Sequence, residues 1–201
     1  MTKHRIGIYA GAFDPVHSGH MGFALQALGE ADLGEVYFLP ERKPRYKPSA
    51  EHYGHRVAML RQAIRPHNQL ALLELVDRQF SVQKTLPQLR HLFSDIELVF
   101  LMGAEVFTKI PEWRNSSQFV DGAEYVVAIR SQKELDAVNA TIALLGIPSS
   151  SITIVDSVRP EVSSTKLRYA LRQNRSDEGM LRSVESYAKR EWLYASVRQN
   201  V

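Results

Sequence analysis

The 201-residue chain contains no cysteine. This removes a disulfide scaffold, a cysteine nucleophile, thiolate zinc sites and iron–sulfur ligation together, and it fits a reducing compartment. Long apolar runs are equally absent. The densest stretch, 96–102, is interrupted by Glu97 and falls far short of the ~20 residues that span a bilayer. The N-terminus runs directly into a strand-like segment, with no apolar core of a secretory signal ahead of it, so the expectation is a soluble, cytoplasmic protein. Neither sign of charge dominates: 25 Lys and Arg against 22 Asp and Glu leave a formal +3. That is too mild for a nucleic-acid coat and suits one local anion site. Two phosphate-cradling glycine patterns, G-x-G-x-x-G and G-x-x-x-x-G-K-[ST], are also missing, which disfavours a dehydrogenase and a P-loop NTPase.

What remains is an ordinary globular composition, 44% hydrophobic and 23% charged, in a chain long enough to bury about 70% of its unfolded surface. Apolar β-like runs at 6–10, 36–39, 70–73, 97–102, 125–129 and 152–155 alternate with helical patterns at 19–29, 50–64, 81–93, 133–145, 164–173 and 177–189. Met21, Leu25 and Leu28 mark one face of the first helix; Ser18 and Ser49 are candidate N-caps, and Pro87 is a blemish in the third helical pattern. Strands separated by helices predict an α/β fold with a doubly wound, mostly parallel sheet. No repeat or linker divides the chain, so 1–201 reads as one domain, with 163–201 as a helical C-terminal subdomain.

The informative segment is AGAFDPVHSGH, 10–20, between the first strand and the first helix. In an open parallel sheet, ligands bind beyond the carboxyl ends of the strands, which is where this loop lies. Gly11 and Gly19 permit close backbone approach, and the helix start offers free N–H groups to an anion. His17 and His20, three apart, can face one mouth. They can also be a surface pair, or two ligands of a metal whose remaining ligands are not evident.

GAFDPVHSGH is similar to the G-x-F-D-P-x-H-x-G-H signature of the HxGH nucleotidyltransferases, Rossmann-like enzymes that join an NTP to a phosphate-bearing acceptor and release pyrophosphate. VSSTKLR, 162–168, resembles that family's second motif, I-S-x-T-x-I-R, in the correct order. In such chemistry the acceptor phosphate is already a nucleophile, so no serine or cysteine is required. Orientation and neutralisation of charge on the leaving oxygens do the catalysis. Ser163 and Ser164 also suit plain helix capping.

Across its whole length the chain resembles the bacterial nicotinate-mononucleotide adenylyltransferases. The likeness is carried by the Pro- and Lys/Arg-rich loop after the second strand, by Arg56, Met59 and Leu60, by LMGAEVFTKIPEW with Trp113, by AEYVVAIR ending in Arg130, and by the closing YAKREWLY. The resemblance implies His17, His20 and Arg168 at the reacting phosphates. It implies Gly11, Ala12, Phe13, Gly19, Gly103, Glu105, Ser164 and Thr165 around ATP, and Trp113, Arg130, Lys43, Lys47 and Thr85 around the acceptor. Mg²⁺ would arrive on ATP with no dedicated protein site. The implied partners are ATP, nicotinate mononucleotide and the product pyrophosphate, without nucleic acid or membrane, in a monomer or small homo-oligomer. Ala10 stands where the family has a glycine and Glu105 where it has an aspartate, and QFSVQKTL carries an extra residue. Arg130, at a strand's carboxyl end, is expected to be buried and to need an anion. Other phosphorylated acceptors, such as phosphopantetheine or a sugar phosphate, stay open. So does a non-catalytic nucleotide or nucleic-acid binder using the basic C-terminal stretch. His52 and His55 are read as a solvated or phosphate-side pair.

Trp113 can plug the core or offer its indole to a cationic pyridinium ring, and a fluorescence titration separates the two. Only one other tryptophan exists, Trp192. Nicotinate mononucleotide should quench the wild type and Trp192→Phe but leave Trp113→Phe unquenched. Quenching that survives in Trp113→Phe would place the pyridine ring elsewhere.

Overall fold

In the computed structural model, which describes residues 4–45 and 47–195, six strands form a single, wholly parallel sheet. They are β1 (Arg5–Gly11), β2 (Glu35–Pro40), β3 (Leu70–Leu72), β4 (Glu97–Gly103), β5 (Glu124–Ile129) and β6 (Ile152–Asp156). Their spatial order is β3-β2-β1-β4-β5-β6. The chain steps outward from β1 to β3, returns to the centre as β4, and steps outward again on the other side. This reversal opens a crevice at the carboxyl ends of β1 and β4, where Ile8 pairs with Phe100.

Helices cover both faces, as the alternating pattern predicts. On one face lie α1 (Ser18–Glu30), α2 (Tyr53–Ile64), α7 (Ser164–Arg172) and α8 (Arg182–Arg190). Their Met21, Ala24, Met59, Leu60, Leu167 and Val184 pack with Val36, Phe38 and Leu101 of the sheet. On the other face lie α3 (Thr85–Leu92), α4 (Ala104–Phe107), α5 (Ser116–Val120) and α6 (Gln132–Leu145). There Leu89, Phe107, Phe119 and Val138 pack with Ile6, Ile8, Phe100 and Val127. The last two helices belong to the same core as α1 and α2. Among the described residues, no helix is long and apolar enough to cross a membrane.

Several boundaries differ from the sequence pattern for identifiable reasons. Histidines, not the expected serines, cap the first two helices: His17 caps α1, and His52 accepts the Gly54 amide at α2 in place of Ser49. Helix α3 starts at Thr85, which puts Pro87 in its first turn, where an amide has no intrahelical acceptor to lose. The final helix begins at Arg182, because the Asp177 carboxylate accepts the Gly179 N–H at 2.8 Å and forms a separate turn. That turn has no room to change. A Cβ on Gly179 would lie 2.5 Å from Val162 Cγ1, while the Gly179 carbonyl accepts the Ser18 N–H at 3.0 Å, at the start of α1.

The most constrained polar side chain is Arg56, on α2, only 1% exposed. Its Nε donates to the Glu51 carbonyl (2.8 Å), Nη1 to Ala12 (2.6 Å), and Nη2 to Glu41 (2.7 Å) and Arg42 (3.3 Å). One guanidinium thus joins the turn after β1, the loop after β2 and the entry to α2. Arg56→Met keeps much of the volume and strands these carbonyls, each at about 1–3 kcal/mol. We expect a loss of about 3 kcal/mol or more, seen as a Tm lower by roughly 6–12 °C in a chain of this size. A Tm within about 2 °C of wild type would show that the carbonyls find other donors.

Candidate active site

The turn after β1 is held by aromatic packing. Phe13 adopts φ 50°, in the left-handed region, which costs an L-residue about 1–2 kcal/mol. Its ring is 2% exposed and lies 5.3 Å from Tyr9, 5.3 Å from Phe38 and 5.2 Å from His20. Burial of a phenyl ring is worth about 1.5–3 kcal/mol and offsets the strain.

The two histidines cap each other. The His20 N–H donates to His17 Nδ1 (3.4 Å), the His17 N–H donates to His20 Nδ1 (3.3 Å), and the rings stack with centroids 3.7 Å apart. Both Nδ1 atoms are therefore acceptors, which leaves each ring proton on Nε2. Burial, together with the positive charges of Arg130 and Lys47, pushes His17 down to about 4. Burial, His17 and the same two cations hold His20 well below the ordinary histidine value. At neutral pH each ring is uncharged and offers one Nε2–H.

Both rings line a polar chamber of about 140 Å³ at the crevice, with Tyr9, Gly11, Ala12, Phe13, Gly19, Lys47, Gly103, Glu105, Arg130, Glu134, Arg159 and Ser164. A second chamber of about 290 Å³ adjoins it and is largely apolar, walled by Ile8, Phe80, Phe100, Trp113 and Phe119 with Glu41, Arg45 and Lys109. Gly11, Ala12, Lys47, Met102 and Glu105 belong to both.

Of the residues singled out in the sequence, His17, His20, Gly11, Ala12, Phe13, Gly19, Gly103, Glu105, Ser164, Arg130 and Lys47 meet at the polar chamber, and Trp113 lines the apolar one. The serines of the second motif divide the labour: Ser163 Oγ caps α7 by accepting the Lys166 N–H, and Ser164 Oγ donates to the Pro15 carbonyl at 3.0 Å. Trp113 both packs and faces the cavity, with Phe119 at 5.4 Å and Phe80 at 5.9 Å.

Five residues are placed differently from expectation. Arg130 is exposed, not buried, because its strand ends at the open crevice. Thr165, expected around ATP, lines neither chamber, and neither does Arg168. Its Nη1 donates to the Asp14 carbonyl at 2.7 Å and lies 3.7 Å from Asp14 Oδ2, and its Nη2 donates to Thr165 Oγ1 at 3.3 Å, so this pair ties the two motifs together. Lys43 is exposed and outside both cavities, and its N–H donates to the Arg78 carbonyl. Thr85 is 1% exposed; its hydroxyl donates to Asp77 Oδ2 (2.9 Å) and accepts the Ser81 N–H (3.0 Å), which fixes the start of α3. His52 and His55 serve α2, the latter through a 2.9 Å bond to the Tyr187 hydroxyl.

Residues not anticipated are Tyr9, Glu41, Lys109, Glu134 and Arg159, whereas Arg45, which lines the apolar chamber, belongs to the Lys/Arg-rich loop that the sequence pointed to. Arg159 and Glu134 follow the carboxyl ends of β6 and β5, so the strand-end rule could have found them. Glu134 Oε2 accepts the Arg130 N–H at 2.6 Å. Glu41 lies between the Phe80 N–H, which its Oε1 accepts at 2.9 Å, and the apolar cavity, and burial raises its pKa. Among the described residues, no three His, Asp or Glu side chains gather as a metal cage.

The depressed histidines have a pH signature. An unfolded histidine protonates near pH 6.5, whereas folded His17 resists protonation down to about 4. Between those values the unfolded chain binds more protons, so this contribution to stability is complete above about pH 6.5 and declines as the pH falls towards 4. Thermal melts should follow that course, and His17→Asn, which keeps a capping acceptor, should flatten it. A wild-type slope unchanged in His17→Asn would assign the pH dependence to other groups.

Comparisons with known proteins agree with this geometry. A cytidylyltransferase-like family model matches residues 8–170. A protein of Thermomicrobium roseum named "Probable nicotinate-nucleotide adenylyltransferase" is 30% identical over 208 residues, covering 96% of this chain and 92% of its own. One of a Synechococcus strain with the same name is 29% identical over 201 residues, covering 96% and 95%. Among solved structures, a nicotinic acid mononucleotide adenylyltransferase of Plasmodium falciparum complexed with NaAD superposes with a TM-score of 0.75 at 17% identity, over 95% of this chain and 97% of that one. The reversal of strand order, the paired histidines at the crevice and the near-complete overlap with these relatives converge: the chain belongs to the cytidylyltransferase-like nucleotidyltransferases, in the nicotinate-nucleotide adenylyltransferase family.

Proposed function

We infer that this protein transfers the adenylyl group of ATP to nicotinate mononucleotide, giving nicotinate adenine dinucleotide and pyrophosphate, a step of NAD biosynthesis. The observation that carries the reading is the junction of two unlike chambers: one polar, with two neutral histidine donors, and one aromatic, sharing Lys47 and Glu105 as a wall. The comparisons support the same substrates.

ATP is assigned to the polar chamber and the mononucleotide to the apolar one. An oxygen of the acceptor phosphate attacks the α-phosphorus, the bond from that phosphorus to the bridging oxygen breaks, and pyrophosphate departs with the electron pair. The chain supplies no nucleophile, because the acceptor is one. It aligns the two phosphates and stabilises the charge growing on the leaving oxygens. The Nε2–H groups of His17 and His20 are donors for those oxygens. Since backbone amides set both rings, they need no reorganisation as the charge develops. Lys47, in the shared wall, serves both phosphates. Glu105 reaches for ribose hydroxyls. The indole of Trp113 is suited to the pyridinium, with Arg45 and Lys109 near by for the carboxylate and phosphate of the acceptor. We propose that Mg²⁺ enters bound to the triphosphate. The histidine Nδ1 atoms are engaged by amides and their Nε2 atoms carry protons, so neither ring offers a lone pair to a cation.

Pyrophosphate release with ATP and Mg²⁺ should be fastest with nicotinate mononucleotide in a panel that includes nicotinamide mononucleotide, phosphopantetheine and sugar phosphates. A folded protein that turns over another acceptor and not this one would overturn the assignment. In the same assay His20→Ala should lower kcat by about 10²–10³-fold, the loss typical of one preorganised donor, with a much smaller change in KM for ATP. A variant within about threefold of wild-type kcat would place the charge stabilisation on other groups.

A further inference from the structure

One buried polar network lies beside the reacting groups without lining either chamber. Asp14 is 3% exposed. Its Oδ1 accepts the Tyr194 hydroxyl at 2.7 Å and the Glu51 N–H at 3.3 Å. Its Oδ2 lies 3.7 Å from Arg168 Nη1, which also donates to the Asp14 carbonyl at 2.7 Å. A single carboxylate therefore joins the motif turn, the approach to α2, the second motif and the far end of the chain. Burying a carboxylate requires such donors, and three segments distant in sequence supply them.

The way Tyr194 reaches Asp14 is specific. Leu193 is buried in the core, and its N–H donates to the Ala188 carbonyl at 2.9 Å, closing α8. The residues on either side, Trp192 at φ 55° and Tyr194 at φ 62°, both take the left-handed conformation. Side chains other than glycine seldom adopt it, and tertiary contacts must hold them there. Trp192 projects outward at 81% exposure, while Tyr194 turns in against the core. Burial and the charge of Asp14 keep the phenol protonated, so it acts as a donor.

We propose that Tyr194 is a positioning residue for adenylyl transfer: its hydroxyl fixes the Asp14 carboxylate and, through it, Arg168 and the first turn of α7. That turn carries Ser164, which lines the polar chamber and holds the Pro15 carbonyl. Beyond the residues it shares with the polar chamber, the apolar chamber is walled mainly by the opposite sheet face, and no residue of the network lines it. Loss of the hydroxyl should therefore be felt at the nucleoside triphosphate and not at the mononucleotide. The proposal rests on the assignment of ATP to the polar chamber.

Tyr194→Phe removes the hydroxyl and keeps the ring. Isothermal titration with Mg²⁺ and α,β-methylene-ATP should show binding weakened about tenfold, in keeping with the loss of a charge-assisted hydrogen bond, and kcat should fall by a similar factor. Binding of nicotinate mononucleotide should stay within about twofold of wild type. Asp14→Asn combined with Tyr194→Phe should bind the analogue no more weakly than whichever single variant is worse, because both changes act on one contact. Unchanged analogue binding in Tyr194→Phe, equal losses for both ligands, or additive losses in the double variant would each overturn the proposal. The analogue is titrated without acceptor, so a wild type that fails to use nicotinate mononucleotide would count against the acceptor assignment and leave this comparison intact.

Discussion

The guanidinium of Arg56 is the constraint on which the site depends. Turns that present catalytic groups must expose backbone at their working face and hide it at the other, and hidden carbonyls need donors. Here those carbonyls belong to Ala12, Glu41, Arg42 and Glu51, in three segments with little else in common, and one planar fork answers them all. An ammonium could not, since it is a compact charge without that fixed spread of N–H groups. Asp14 plays the complementary part with opposite charge, gathering donors where Arg56 gathers acceptors. Between them, the strand-to-helix turn is fixed on both sides by groups that need never touch a ligand.

The histidines require no dedicated orienting carboxylate. Each ring is oriented by the backbone N–H of the other residue, so the helix start and the donor pair are one structure. The surrounding cations, Lys47 and Arg130, favour the neutral rings. They also make the crevice attractive to a polyanion, and this long-range attraction and the short-range hydrogen bonding come from different residues.

The six strands were legible because each is a short apolar run with a turn signal after it, and the strand–loop–helix setting of the first motif pointed directly to the crevice. Helices α4 and α5 were not, since four and five residues are too few to show a period. Serine caps α7 but not the first two helices, because the preference for serine is a statement about average chains. An imidazole Nδ1 that accepts a backbone N–H does the same work at His17 and His52. The second motif and the Pro-rich loop named the right kinds of residue without their direction. Arg168 turns to Asp14, Thr85 to Asp77, and Lys43 to solvent, and none of these directions follows from the residue type or its local pattern. Tyr194 is the extreme case, meeting a residue 180 positions earlier.

The thin wall between the chambers carries a kinetic meaning. If ATP occupies the polar side and the mononucleotide the aromatic side, the joined dinucleotide spans both and collects the contacts of each. It does so as one molecule, with one loss of translational and rotational freedom where two substrates incur two. The residues common to both chambers, Gly11, Ala12, Lys47, Met102 and Glu105, would then lie under its bridging diphosphate. The product on this reading competes with either substrate for the site, and it keeps all of these contacts except those that leave with the pyrophosphate.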